Sequence, residues 1–406
     1  MRILHEALEE AIAKMPEQVL GQLLREKLEA HGITIAPSEL AQLQKLVLQG
    51  ESDSLHVRRW RWWEQQKVVV EFSAQEVLEI ERRLAEVSER IPQVIDDLST
   101  ELAVDILKTL QARWRGESRR QKREQAGFER RLLSWWGLPL ELLGMLLTIS
   151  REFGATVNEE LRGPTGPSPY LLEVLTRLDA RAIQVVHEIH VLLAAGLADG
   201  AIARWRTLHE IAAIALFVGE HGEDLAERYV LHEHVESRKA MRDYTDCHER
   251  LEYDSLEPGE ITAVEQSYEG LLARFGRPYG AQYGWAAEQL GLSNPSLKDI
   301  ERAAGIDHLR AHYRMTSHNV HANPKGAFFK LGLLEETDLL LSGPSNAGLA
   351  DPGHFAAISL VQVSTPLGLL HPTLDNIVTL RIMLILEHAI GEAFGRAHEQ
   401  LVHDSA

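Results

Sequence analysis

Near residue 313 the chain reads YRMTSHNVHANPKG. Arg314, His318 and His321 are separated by four, three and seven positions, so a helix through them presents all three on one side. An arginine fork matches the oxygens of a phosphate, and a histidine can move the proton of a ribose 2′-hydroxyl. That pairing predicts metal-independent cleavage of RNA, with Arg314, His318 and His321 as the catalytic candidates. Asn323-Pro324 ends the helix at the same place and makes Asn323 a supporting polar group.

A second pair lies upstream in ARWRTLHEIAAIALFV, where Arg206 and Glu210 stand four apart among mostly apolar positions. They share a helix face and can pair. Both this helix and the one carrying 310–321 interrupt an apolar face with polar groups, and buried polar groups need partners. The two helices are therefore expected to face each other, with Arg206 and Glu210 supporting the site.

Other chemistries find less in the sequence. HEIH (187–190), HEHVE (232–236) and SHNVH (317–321) are rich in metal-ligand types. A di-iron bundle wants Glu-x-x-His, and a zincin wants His-Glu-x-x-His; the sequence has neither. No metal and no cofactor are expected. The only cysteine is Cys247, which rules out a disulfide framework within the chain and a cysteine zinc cluster. Gly-x-Ser-x-Gly and Walker A sequences are both absent.

The formal net charge of -18 is wrong for a general nucleic-acid coat protein, so any RNA contact needs a local basic patch. RWRGESRRQKREQAGFERR (113–131) is the densest supply, with eight Arg or Lys against Glu117, Glu124 and Glu129. Arg113, Arg115, Arg119, Arg120, Lys122 and Arg123 are the candidate RNA contacts. Trp114 and RRWRWW (58–63) offer stacking surfaces for unpaired bases. The competing reading pairs these arginines with an acidic helix over 74–102.

To position these groups the sequence supplies mostly helices. Of 406 residues, 45% are apolar and 25% charged, an ordinary globular balance. Helical periodicity predicts an all-α, multi-helix bundle, with a helical accessory domain over 1–125 and the main bundle over 126–406. LGQLLREKLEAHG is a helix closed by Gly32, and Ser38 and Ser73 read as N-caps, the latter in a capping box with Glu76. ITI (33–35) and VVVEF (68–72) are β-like and are expected to pair as a minor ribbon. LRGPTGPSPY (161–170) and LSGPSNAGLADPGH (341–354) read as loops. The N-terminus is unlike a signal peptide, and runs such as IAAIALFV are short for a membrane span. A soluble, cytoplasmic protein without membrane contact is the expectation.

ADGAIARWRTLHEIAAIALFV, HEHVESRKA, YGWA, HYRMTSHNVHANPKG and LLSGPSNAGLADPG together resemble the bacterial family catalogued as domain of unknown function 5677, over about 126–400. The label itself implies no activity. Its Arg…Glu helix and its late Ser…His helix are similar to the arrangement in HEPN ribonucleases, helical bundles of toxin and antiphage systems. That similarity implies metal-free RNA cleavage, a homodimer, and an antitoxin or defence-system partner. The alternative is a helical binding or regulatory module in which these polar groups are structural.

Overall fold

The computed structural model describes residues 2–34, 36–48, 54–61, 64–71, 73–162, 169–321, 324–328, 330–334 and 340–405. The chain divides into two compact units, Met1–Arg120 and Gln121–Ala406. Among the described residues the fold is all-α apart from one hairpin in the first unit.

The first unit contains α1 (Arg2–Ala30), α2 (Pro37–Leu48), β1 (Ser54–Arg61), β2 (Glu64–Glu71) and the start of α3 (Ala74–Leu161). Leu20, Leu24, Leu28, Ile33 and Leu40 form its small core, with Leu43 and Ile80 packed against them. Gly32 closes α1 at φ 66°, a left-handed conformation that favours glycine. The Ser73 capping box is present: Glu76 accepts the Ser73 amide at 2.7 Å, and Ser73 Oγ accepts the Glu76 amide at 3.3 Å. Glu76 also takes Lys27 Nζ at 2.6 Å. These contacts hold its carboxyl down at about 2, Lys27 first and then Ser73.

Two expectations need correction here. The ribbon is antiparallel and pairs β1 with β2, Ser54 opposite Glu71. Its first strand is therefore SLHVRRWR, while Ile33 and Thr34 lie in the turn after α1. Ile33 is instead drawn into the small core. Ser38 lies inside α2, which begins at Pro37, a residue whose missing N–H costs a first helical turn nothing.

α3 is continuous for 88 residues, so the acidic stretch from 74, the basic run and the apolar LPLELLGMLLTIS share one helix. By length and composition it contains a stretch apolar enough to cross a membrane. Its later turns instead bury Leu132, Trp136, Leu140, Leu143 and Leu147 in the core of the second unit.

That unit adds α4 (Pro169–Ala194), α5 (Ala198–His221), α6 (Glu223–Leu231), α7 (Glu233–Cys247), α8 (Pro258–Phe275), α9 (Ala287–Leu290), α10 (Leu297–Ala303), α11 (Arg310–Val320), α12 (Pro324–Phe328), α13 (Ala350–Leu369) and α14 (Leu374–Ser405). α4, α5, α13 and α14 pack as its centre, and α10 and α11 lie against α5. His232 separates α6 from α7. The loop expected over 341–354 ends earlier, because α13 starts at Ala350. Trp136 Nε1 donates to Asn346 O at 2.8 Å and Asp199 accepts from the Leu331 amide at 3.1 Å, which fastens this loop region to α3 and α5.

Candidate functional site

α5 is buried along Ile202, Trp205, Leu208, His209 and Ala212. Arg206 and Glu210 come one position later on the helix, about 100° round, at the margin of that face. Their side chains keep 24% and 34% exposure, enough for water to meet the charges. α11 packs on this margin. Tyr313, 7% exposed, sends its hydroxyl to Glu210 Oε1 at 2.5 Å. Arg206 Nε stands 3.4 Å from the same Glu210 oxygen, and its guanidinium lies 4.8 Å from the centre of the Tyr313 ring.

The same guanidinium reaches the end of α11. Arg206 Nη1 donates to His321 Nε2 at 3.3 Å. An arginine has no acceptor, so Nε2 must carry its lone pair and the neutral ring holds its proton on Nδ1. His321 is exposed and follows α11 in extended conformation, φ -103° and ψ 133°. Close packing holds this corner: a β-carbon on Gly326 of α12 would stand 1.8 Å from the His318 carbonyl oxygen. The final glycine of HANPKG is therefore a steric requirement.

Burial disfavours the charge on Arg206, but the contacts with Tyr313 and Glu210 outweigh it and raise its pKa. The Tyr313 hydroxyl is pushed up by burial and then by its bond to Glu210. Tyr283 is pushed up to about 12, again by burial first and then by the Glu210 charge.

Beneath this edge lies a buried ionic group. Glu301 Oε1 is 3.1 Å from His209 Nε2, both side chains fully enclosed, and Glu301 Oε2 takes Arg310 Nη1. Burial would raise the Glu301 pKa, yet hydrogen bonds from His209 and Arg310 carry it below the ordinary value. The His209 ring packs 5.6 Å from Tyr313 and 5.2 Å from Trp205, whose Nε1 donates to Ser359 Oγ at 3.0 Å. Tyr313, His209, Glu301 and Arg310 were not singled out by spacing. Tyr313 did carry a signal, since it precedes Arg314 and shares a face with Leu309 and Thr316, both buried.

The sequence candidates separate in space and environment. His321, Arg206 and Glu210 meet in one network. Arg314 is exposed on α11 and makes no hydrogen bond or ion pair among the described residues. His318 is half-buried. Asn323 lies outside the described residues. Among the described residues no three His, Cys, Asp or Glu side chains converge as a metal site would require.

In the basic run, Arg113, Arg115, Arg119, Arg120, Lys122 and Arg123 are all exposed along α3, as is Trp114 at 57%. Arg120 pairs locally with Glu117 at 2.6 Å. Pairing with a separate acidic helix does not occur, because 74–102 belongs to the same α3. Arg113 lies about 18 Å along the axis beyond Glu101. Of RRWRWW, the first four residues lie in β1 and Trp62 and Trp63 fall outside the described residues.

Residues 172–338 match the model of a family of unknown function, DUF5677. The matched stretch holds α5, α10 and α11, and with them every group of the Arg206–His321 network. No curated protein and no solved structure was found to match the chain.

Proposed function

We propose that the edge formed by Arg206, Glu210, Tyr313 and His321 is the site of a metal-independent endoribonuclease of the toxin or antiphage-defence type. The observation that carries this reading is the 3.3 Å contact between a cation and the lone pair of an exposed imidazole. Without substrate, Arg206 occupies that lone pair. A phosphodiester entering the edge competes for the guanidinium with two oxygens, a stronger match than one ring nitrogen.

His321 Nε2 is then free to take the 2′-hydroxyl proton. The 2′-oxygen attacks phosphorus, the bond to the 5′-oxygen breaks, and the leaving oxygen is protonated by a second acid or by water. The products are a 2′,3′-cyclic phosphate and a 5′-hydroxyl. Glu210 and Tyr313 hold the Arg206 fork, and His318 and Arg314, earlier on α11, are assigned to the leaving oxygen and to flanking phosphate. The basic run of α3 is assigned to the RNA backbone.

The test is cleavage of total RNA in EDTA, beside growth arrest on expression. Wild type would be compared with His321→Ala, Arg206→Ala and Arg314→Ala, each shown to fold equally well. Loss of a positioned acid or base costs about 10²–10⁴ in rate. A His321→Ala variant as active as wild type ends the proposal. Should wild type neither cleave RNA nor arrest growth, the second reading takes over. It treats the closed network of Arg206, Glu210 and Tyr313 as a structural seam of a binding module.

A further inference from the structure

A cleft of about 780 Å³ opens among α4, α6, α7 and the segment 282–285. Tyr229, Tyr283 and Trp285 form its apolar wall, with Tyr229 and Trp285 meeting edge to face at 5.0 Å. His232, Glu233 and Glu236 also line it. His232 is 4% exposed, and its Nε2 is bonded to the Ala281 carbonyl at 3.0 Å, so Nε2 carries the proton. In the neutral ring Nδ1 is left as an acceptor, and Glu236 Oε1 is another acceptor 3.8 Å away. Burial lowers the His232 pKa, which keeps the ring in that neutral form. Both accept, so a donor group suits this corner of the cleft, beside the Lys239 ammonium that Glu236 Oε1 already takes at 2.8 Å.

Charge points the same way. On the wall, Glu173 bonds Arg177 directly and also takes Arg162 at 3.3 Å. Glu233 and Glu236 remain, the second with Lys239 at 2.8 Å. Among the lining side chains three carboxylates stand with one arginine, and aromatic faces attract cations.

We infer that this cleft is a binding site for a small organic ammonium ion, its apolar body against Tyr229, Tyr283 and Trp285 and its N–H donors shared between His232 Nδ1 and the Glu236 carboxylate. The site is separate from the Arg206–His321 edge, and its test does not depend on any RNA chemistry.

Calorimetric titration of the full chain at neutral pH would use benzylammonium, its neutral analogue benzyl alcohol, and adenosine as a planar base. Benzylammonium should saturate one site, with benzyl alcohol at least roughly tenfold weaker. Glu236→Gln, which keeps shape and removes charge, should weaken benzylammonium by a similar factor and leave benzyl alcohol unchanged. Tyr229→Leu is a second variant that should weaken both benzyl ligands. Equal binding of the two benzyl ligands, or full retention in Glu236→Gln, overturns the inference. So does adenosine binding without benzylammonium, or no saturation by benzylammonium up to about 10 mM.

Discussion

Replacing Glu301 by glutamine should destabilise the second unit strongly, although it changes one atom type in a fully enclosed side chain. Glu301 is fully buried between His209 Nε2 and Arg310. Breaking one partner out of a buried ionic group costs about 3–5 kcal/mol, because the others stay desolvated. Arg310 keeps 24% exposure and can recover water, whereas His209 has none. Glutamine still accepts one of the two hydrogen bonds, which places the loss at the lower end, about 3 kcal/mol. For a unit of this size that is a fall in Tm of roughly 6–12 °C.

The assay is thermal unfolding by circular dichroism, repeated down the acid range. The folded-state pKa of Glu301 is depressed. Its stabilisation is therefore present above the ordinary carboxylate pKa and is lost as pH falls through and below that range. Glu301→Gln should lack this part of the acid dependence. Replacing all three groups together (His209→Phe, Glu301→Leu, Arg310→Met) removes the stranded partners and should recover most of the loss. A Tm change under about 2 °C for Glu301→Gln, or a triple variant less stable than the single one, would refute the reasoning.

Asp179 is 2% exposed, and burial pushes its carboxyl up to about 7, with Ser364 Oγ at 2.9 Å opposing the shift. A raised acid stabilises below its unfolded pKa and loses that stability as pH rises through the folded value. The stability of wild type should therefore fall between pH ~4 and ~8 by on the order of 4 kcal/mol, and Asp179→Asn should flatten the curve in pH-dependent unfolding. Gly326→Ala should displace the end of α11, read as a changed His321 ring signal by NMR, since no β-carbon fits against the His318 carbonyl. Tyr313→Phe should cost about 1 kcal/mol in chemical denaturation by leaving Glu210 short of a donor. If α3 binds RNA, charge reversal at Arg119, Arg120 and Arg123 should flatten the salt dependence of affinity in filter binding. An unchanged slope would make that run a solvated helix surface.

Local chemistry wrote much of this protein into the sequence. The helical period, the Ser73–Glu76 cap, Gly32 at the end of α1 and the partnership of Arg206 with Glu210 all depend on residues within four positions of one another. Such contacts are legible because helix geometry alone sets who meets whom. Asn323-Pro324 read as the end of the helix carrying His318, whereas α11 already ends at Val320 and Pro324 opens α12. What spacing could not supply was the partner of His321. Seven positions of helix proposed Arg314, yet the guanidinium that reaches its Nε2 is Arg206, 115 residues away. The same holds for His209 with Glu301, separated by 92 residues and enclosed only once α5 and α10 are packed. A sequence shows which faces are apolar, but which polar group is walled in beside another depends on how helices cross. The two β strands make the point in reverse. VVVEF was β-like by composition and does lie in β2 as far as Glu71, but only the ladder decided that 54–61, and not 33–35, would pair with it.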